Sequence, residues 1–155
     1  MKNTMEIKQR KLIEPGDVWQ LGDHRVACGS ASDSLLVKKL MGGGAAIRQI
    51  LTDPPYGVAY VENKEHFKET IGAPISNTTV IQNDELQTDE EFAEFTSKWI
   101  KAVTEYLDKY NTIYIFNSDT MFCALRAGMK KAGIYYSQLI IWVKNQVVVG
   151  RKGFV

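Results

Sequence analysis

The chain has 155 residues, of which 45% are hydrophobic and 24% charged, the composition of a globular domain able to bury a core. A formal net charge of +1 creates no global basic field, so affinity for nucleic acid would have to come from local patches. Cys28 and Cys123 lie far apart with no metal-ligand spacing, which argues against a zinc site or a disulfide framework, and no apolar run approaches the roughly 18 residues of a membrane span.

These bulk properties fit a single domain over residues 1–155 in a reduced, cytoplasmic setting. Residues 1–16 read as a loose start, and Met1 to Leu12 is too polar to be a signal peptide's apolar stretch. Val18 to Leu21 and His24 to Cys28 follow as two short strands around the turn pair Gly22-Asp23. Ser32 or Asp33 can cap a helix that runs through Leu35, Leu36, Lys39 and Leu40 and stops at Gly42-Gly43-Gly44. The glycine run is a helix stop and not a phosphate loop, because no Gly-Lys-Ser/Thr follows and a strand, Ile47 to Thr52, comes after it.

Residues 57–87 have mixed polarity and read as a long loop, a kind that is usually functional or mobile. From Thr88 the spacing of Phe92, Phe95, Trp99, Ile100, Val103, Tyr106 and Leu107 is helical, and Thr88-Asp89-Glu90-Glu91 supplies a cap and first-turn acids. Asn111 to Phe116 reads as a buried strand. Asn117-Ser118-Asp119 can cap a helix through Phe122, Leu125 and Met129 that closes at Gly133, and the same three residues could face a pocket. Ile134 to Lys144 reads as a further strand. Strands alternating with helices imply an open, Rossmann-like α/β sheet with helices on both faces, whose ligands bind beyond the carboxyl ends of the strands.

Asp53-Pro54-Pro55-Tyr56 occupies that position, directly after Ile50-Leu51-Thr52. The tetrapeptide is expected by chance in very roughly one chain of this length in a thousand. Asp53 precedes a proline and is pushed into extended backbone, while two successive prolines stiffen the turn that aims its carboxylate. A rigid surface turn is the alternative, but a turn requires neither the aromatic nor a strand end.

On these residues the chain resembles the permuted, β-class DNA amino-methyltransferases, in which an Asp-Pro-Pro-Tyr half precedes the cofactor-binding half. Two other stretches agree. Gly16-Asp17-Val18-Trp19-Gln20-Leu21-Gly22-Asp23-His24-Arg25-Val26-Ala27-Cys28-Gly29 is similar to the opening segment of phage and prophage members, and Leu139-Ile140-Ile141-Trp142-Val143-Lys144-Asn145 to the strand after their target-base pocket.

The resemblance implies methyl transfer from S-adenosylmethionine to the exocyclic amine of adenine in DNA, as in restriction-modification systems. Cytosine specificity is the alternative, since the link between an Asp-initial motif and adenine is associational. Asp53 and a carbonyl at Pro54 would accept the amine hydrogens and localise the nitrogen lone pair. Pro54 and Pro55 would stiffen the motif, and Tyr56 would stack on a base rotated out of the duplex, worth about 1–3 kcal/mol.

Cys28, Gly29, Ser30 and Asp53 are the implied cofactor contacts, with Ser30 standing where relatives usually carry an acidic or amide residue. Tyr60, Lys144, Arg151 and Lys152 are candidate DNA contacts, although a solvated basic terminus explains the last three equally well. His24 and His66 have no partner at a ligand spacing, and no metal is expected. The chain ends before the family's Phe-x-Gly-x-Gly cofactor loop. That leads to the expectation of an N-terminal portion that needs a complementing C-terminal segment or a second copy, or of a noncatalytic remnant or DNA-binding subunit of a split enzyme.

Overall fold

A computed structural model of the chain describes residues 13–44, 46–59, 81–143 and 145. The N-terminal residues 1–12, most of the long loop, and the sequence-derived candidates Tyr60, Lys144, Arg151 and Lys152 lie outside the described residues.

Strands β1 (Val18–Leu21) and β2 (His24–Ala27) form the expected antiparallel hairpin, with Leu21 opposite His24 across the Gly22-Asp23 turn. Helix α1 (Ser34–Met41) begins on Asp33, whose Oδ1 accepts the backbone N–H groups of Leu35 and Leu36. It ends at Gly42, which takes the left-handed conformation at φ 62°. A side chain there would be strained, and its Cβ would also sit 1.8 Å from the Arg25 guanidinium. That guanidinium donates to the carbonyl of Leu40 at 3.0 Å, and Lys39 Nζ donates to that of Gly16 at 2.8 Å, so the hairpin is bound to α1 at both ends.

Strand β3 (Ile47–Thr52) pairs in parallel with β4 (Leu107–Ile115), and the connection carries helix α2 (Asp89–Thr104). Thr88 caps α2 in both directions. Its hydroxyl accepts from Glu91 N, while Glu91 Oε2 accepts from Thr88 N at 2.8 Å. Strand β4 starts earlier than Asn111 because Leu107 already pairs with Ile47. Asp108 to Asn111 then bulge out before Thr112 meets Gln49, held by Tyr110 N donating to Asp108 Oδ1 and Asn111 Nδ2 to the Asp108 carbonyl.

Helix α3 (Phe122–Lys131) packs on α2. The core between them holds Phe92, Trp99, Ile100, Met121, Ala124, Leu125 and Met129, with Ile115 of β4 against it. Gly128 sets the separation of the two helices. A Cβ on it would lie 2.5 Å from Thr96 Cβ and 2.6 Å from the Ala93 carbonyl oxygen.

Side chains alternate along a strand, so the β3–β4 face that carries Thr52 and Ile115 turns to the helices, while Leu51 and Tyr114 on the opposite face are exposed. The described strands form two separate two-stranded sheets, and the wider Rossmann-like sheet expected from the sequence is not among them. Residues 134–143 form no strand, contrary to the expectation. Leu139, Ile140, Ile141, Trp142 and Val143 are all exposed, and β-branched and aromatic side chains favour a strand only where a ladder and a packed face receive them.

Candidate active site

The parallel ladder continues one residue past β4, where Phe116 N donates to the carbonyl of Thr52, the last residue of β3, at 2.9 Å. Asp53 is therefore the first residue beyond the paired strand, at its carboxyl end. Asp53 is exposed, and Pro54, Pro55 and Tyr56 are half-buried.

Within the tetrapeptide, Tyr56 Oη donates to Asp53 Oδ1 at 2.5 Å. The phenol is pushed up to about 12 from its ordinary 10, first by desolvation, then by the hydrogen bond to Asp53 and the negative charges of Asp53 and Asp84. It stays protonated through neutral pH and acts as a donor toward the carboxylate.

The backbone after the motif is held by a residue that the sequence does not single out. Asp84 is buried, and its Oδ1 accepts the backbone N–H of Tyr56 at 3.0 Å and of Gly57 at 3.1 Å. The Asp84 carbonyl accepts from Ala59 N at 2.6 Å, and the Gly57 carbonyl accepts from Gln87 N at 3.1 Å. Gly57 is buried at φ 64° with Gln87 and Phe92 only 3.2 Å from where a Cβ would stand, so both its conformation and its contacts require glycine. Ala59 (φ 50°) and Asn83 (φ 63°) are the described non-glycine residues with left-handed backbone, and both lie in this strap.

At the end of the neighbouring strand, Ser118 Oγ accepts from Met121 N at 3.3 Å, a turn bond that precedes α3, while Met121 at the helix N-cap makes no side-chain cap of its own. Asn117 differs from Ser118. Both polar atoms of its amide are buried without a hydrogen-bond partner among the described residues.

A family described as DNA methylase matches residues 47–154, more than half of the chain. The chain belongs to the N6/N4 DNA methylase family. No curated protein and no solved structure matches it. The matched region of the methylase begins with β3 and includes the Asp53 to Tyr56 turn, Asp84, both packed helices and β4. Its reaction is methylation of amino groups in DNA. No helix among the described residues of the methylase is long and apolar enough to cross a membrane.

Cys28, Gly29 and Ser30 follow directly after β2, whose sheet is separate from the β3–β4 pair. Cys28 has its N–H on the Asp17 carbonyl and its carbonyl on Gly16 N. Ser30 accepts from Ser32 N on its hydroxyl and from Asp33 N on its carbonyl. Gly29 is packed by Leu36, whose Cδ2 would lie 2.5 Å from a Cβ. These ties fix the backbone that carries the three residues. His24 stands at the hairpin turn, as its sequence position suggests.

Proposed function

We propose that residues 53–57 form the acceptor side of an adenine amino-methyltransferase of the permuted class. The observation that carries this reading is the Tyr56–Asp53 hydrogen bond at the carboxyl end of β3, in a region that matches the DNA methylase family. S-adenosylmethionine, the usual methyl donor of such enzymes, supplies an electrophilic methyl group when bound. Among residues 28–30, the Cys28 backbone groups and the Ser30 carbonyl and hydroxyl already hold local structure, which leaves the Gly29 peptide groups and the Ser30 N–H as the groups that would meet the donor.

An exocyclic amine is a poor nucleophile because its lone pair is delocalised into the ring. Asp53, exposed at the strand end, accepts one amine hydrogen on its carboxylate, and the Pro54 carbonyl accepts the other. The two acceptors pull the nitrogen toward tetrahedral geometry and localise the lone pair. Tyr56 keeps its phenolic hydrogen on Asp53 Oδ1, which orients the carboxylate before the base arrives, and its ring offers a stacking surface for a base rotated out of the duplex. Neither step requires a covalent enzyme intermediate.

Incubation of the protein with S-adenosylmethionine and unmethylated duplex DNA, followed by nucleoside mass spectrometry, tests the assignment. N6-methyladenine is the expected product. N4-methylcytosine would keep the amine chemistry and overturn the adenine assignment, and no methylated amine either from the protein alone or with an added C-terminal segment carrying the glycine-rich cofactor loop would favour the reading of a noncatalytic DNA-binding subunit.

A further inference from the structure

Two consecutive prolines leave the Asp53 to Tyr56 turn without backbone donors at positions 54 and 55, so the N–H groups of Tyr56 and Gly57 are the first available to fix the chain that follows. Both converge on one oxygen of one buried side chain, at 3.0 and 3.1 Å. A carboxylate is costly to bury, and hydrogen bonds from backbone amides to the charged form offset that cost. Asp84, 4% exposed, sits 27 residues beyond Gly57 and is carried on a segment that makes two more backbone bonds to residues 57–59. The bonds from Ala59 N and Gln87 N alone would hold the loop ends together, so the carboxylate contributes something they do not. It grips the peptide units on either side of the Tyr56 side chain.

We infer that Asp84 is a positioning residue for methyl transfer: its carboxylate fixes the Tyr56 backbone, and Tyr56 in turn fixes the carboxylate of Asp53. This inference rests on the acceptor role proposed for Asp53. Asp84 itself touches neither base nor donor. Its influence runs through the Tyr56 main chain to the phenol and across 2.5 Å to Asp53 Oδ1. A misplacement of about 1 Å in such a constellation costs on the order of 10²-fold in rate, so loosening the anchor lowers turnover more than it lowers affinity for DNA.

The test compares the parent protein with Asp84→Ala, Asp84→Asn and Asp53→Ala in single-turnover methyl transfer, with DNA binding and thermal melting measured on the same samples. Asp84→Ala is expected to lower the rate on the order of 10²-fold with DNA affinity within about threefold, after correction for the folded fraction. Asp84→Asn keeps an acceptor oxygen at the same reach and is expected to recover most of that loss. Amide exchange at Tyr56 and Gly57 is expected to accelerate in Asp84→Ala and to stay slow in Asp84→Asn.

If Asp53→Ala abolishes transfer while folded Asp84→Ala retains the parent rate, the positioning role is overturned and the acceptor reading stands. A loss in Asp84→Ala that merely tracks the unfolded fraction overturns it equally. If Asp53→Ala itself retains activity, the acceptor reading fails, whatever the Asp84 variants do.

Discussion

Tyr56 Oη lies 2.5 Å from Asp53 Oδ1, so the last side chain of the Asp-Pro-Pro-Tyr turn holds the first. The two prolines between them make this closure possible by fixing the backbone over which the phenol reaches back. The aromatic residue therefore has two separable contributions, a ring for a base and a hydroxyl for the carboxylate.

Tyr56→Phe removes the hydroxyl and keeps the ring, whereas Tyr56→Ala removes both. Methyl transfer is expected to fall about tenfold in Tyr56→Phe, as for a lost charge-assisted hydrogen bond of roughly 1.5 kcal/mol. Tyr56→Ala is expected to lose a further factor of about 5 to 150, the stacking contribution of about 1–3 kcal/mol. Single-turnover rates on the same duplex separate the two.

The raised phenol also makes a prediction in alkali. Because the folded value of about 12 exceeds the ordinary value of 10, the unfolded chain releases this proton first, and stability falls as pH rises between them. The contribution is complete below pH 10 and lost by about pH 12. The difference in melting temperature between the parent and Tyr56→Phe is expected to be constant from pH 7 to 9 and to shrink above pH 10.

At the start of α2, Thr88→Ala removes a reciprocal cap and is expected to cost about 1 kcal/mol, read as a melting-temperature drop of about 2–4 °C. The Glu91 carboxyl is held below its ordinary 4.5 by the Thr88 backbone N–H and hydroxyl. With its folded value depressed, its stabilisation is present above pH 4.5 and disappears as acid protonates it in the folded state. The difference between the parent and Glu91→Gln should therefore narrow as pH falls below 4.5.

Gly128→Ala places a methyl group within 2.5 Å of Thr96 on the facing helix. Overpacking of this kind costs typically 1–3 kcal/mol, and α2 and α3 must separate to relieve it. Denaturant unfolding is expected to show a lower midpoint with an unchanged slope.

The elements whose ends are set by local chemistry were legible from the sequence. Asp33 and Gly42 bound α1, Thr88 with Glu91 opens α2, and Thr52 closes β3 before the Asp53-Pro54 pair. Long-range features were not. The start of β4 depends on a bulge around Asp108 that only the pairing with Ile47 reveals. The composition of 134–143 favours a strand, yet the described strands give it no ladder. Asp53 and Tyr56 stood out through the turn itself, but Asp84 reaches Tyr56 and Gly57 across 28 and 27 residues, a separation no local spacing rule encodes.

The most direct measurement of the central claim is single-turnover methyl transfer to DNA by Asp53→Asn beside the parent protein. This variant preserves size and one acceptor oxygen but removes the charge that draws the amine hydrogen and the Tyr56 phenol. A rate at least 10²-fold below the parent, with DNA binding essentially unchanged and the protein still folded at the assay temperature, is the predicted result. A rate within a few-fold of the parent would contradict the assignment of Asp53 as the acceptor of the amine hydrogen.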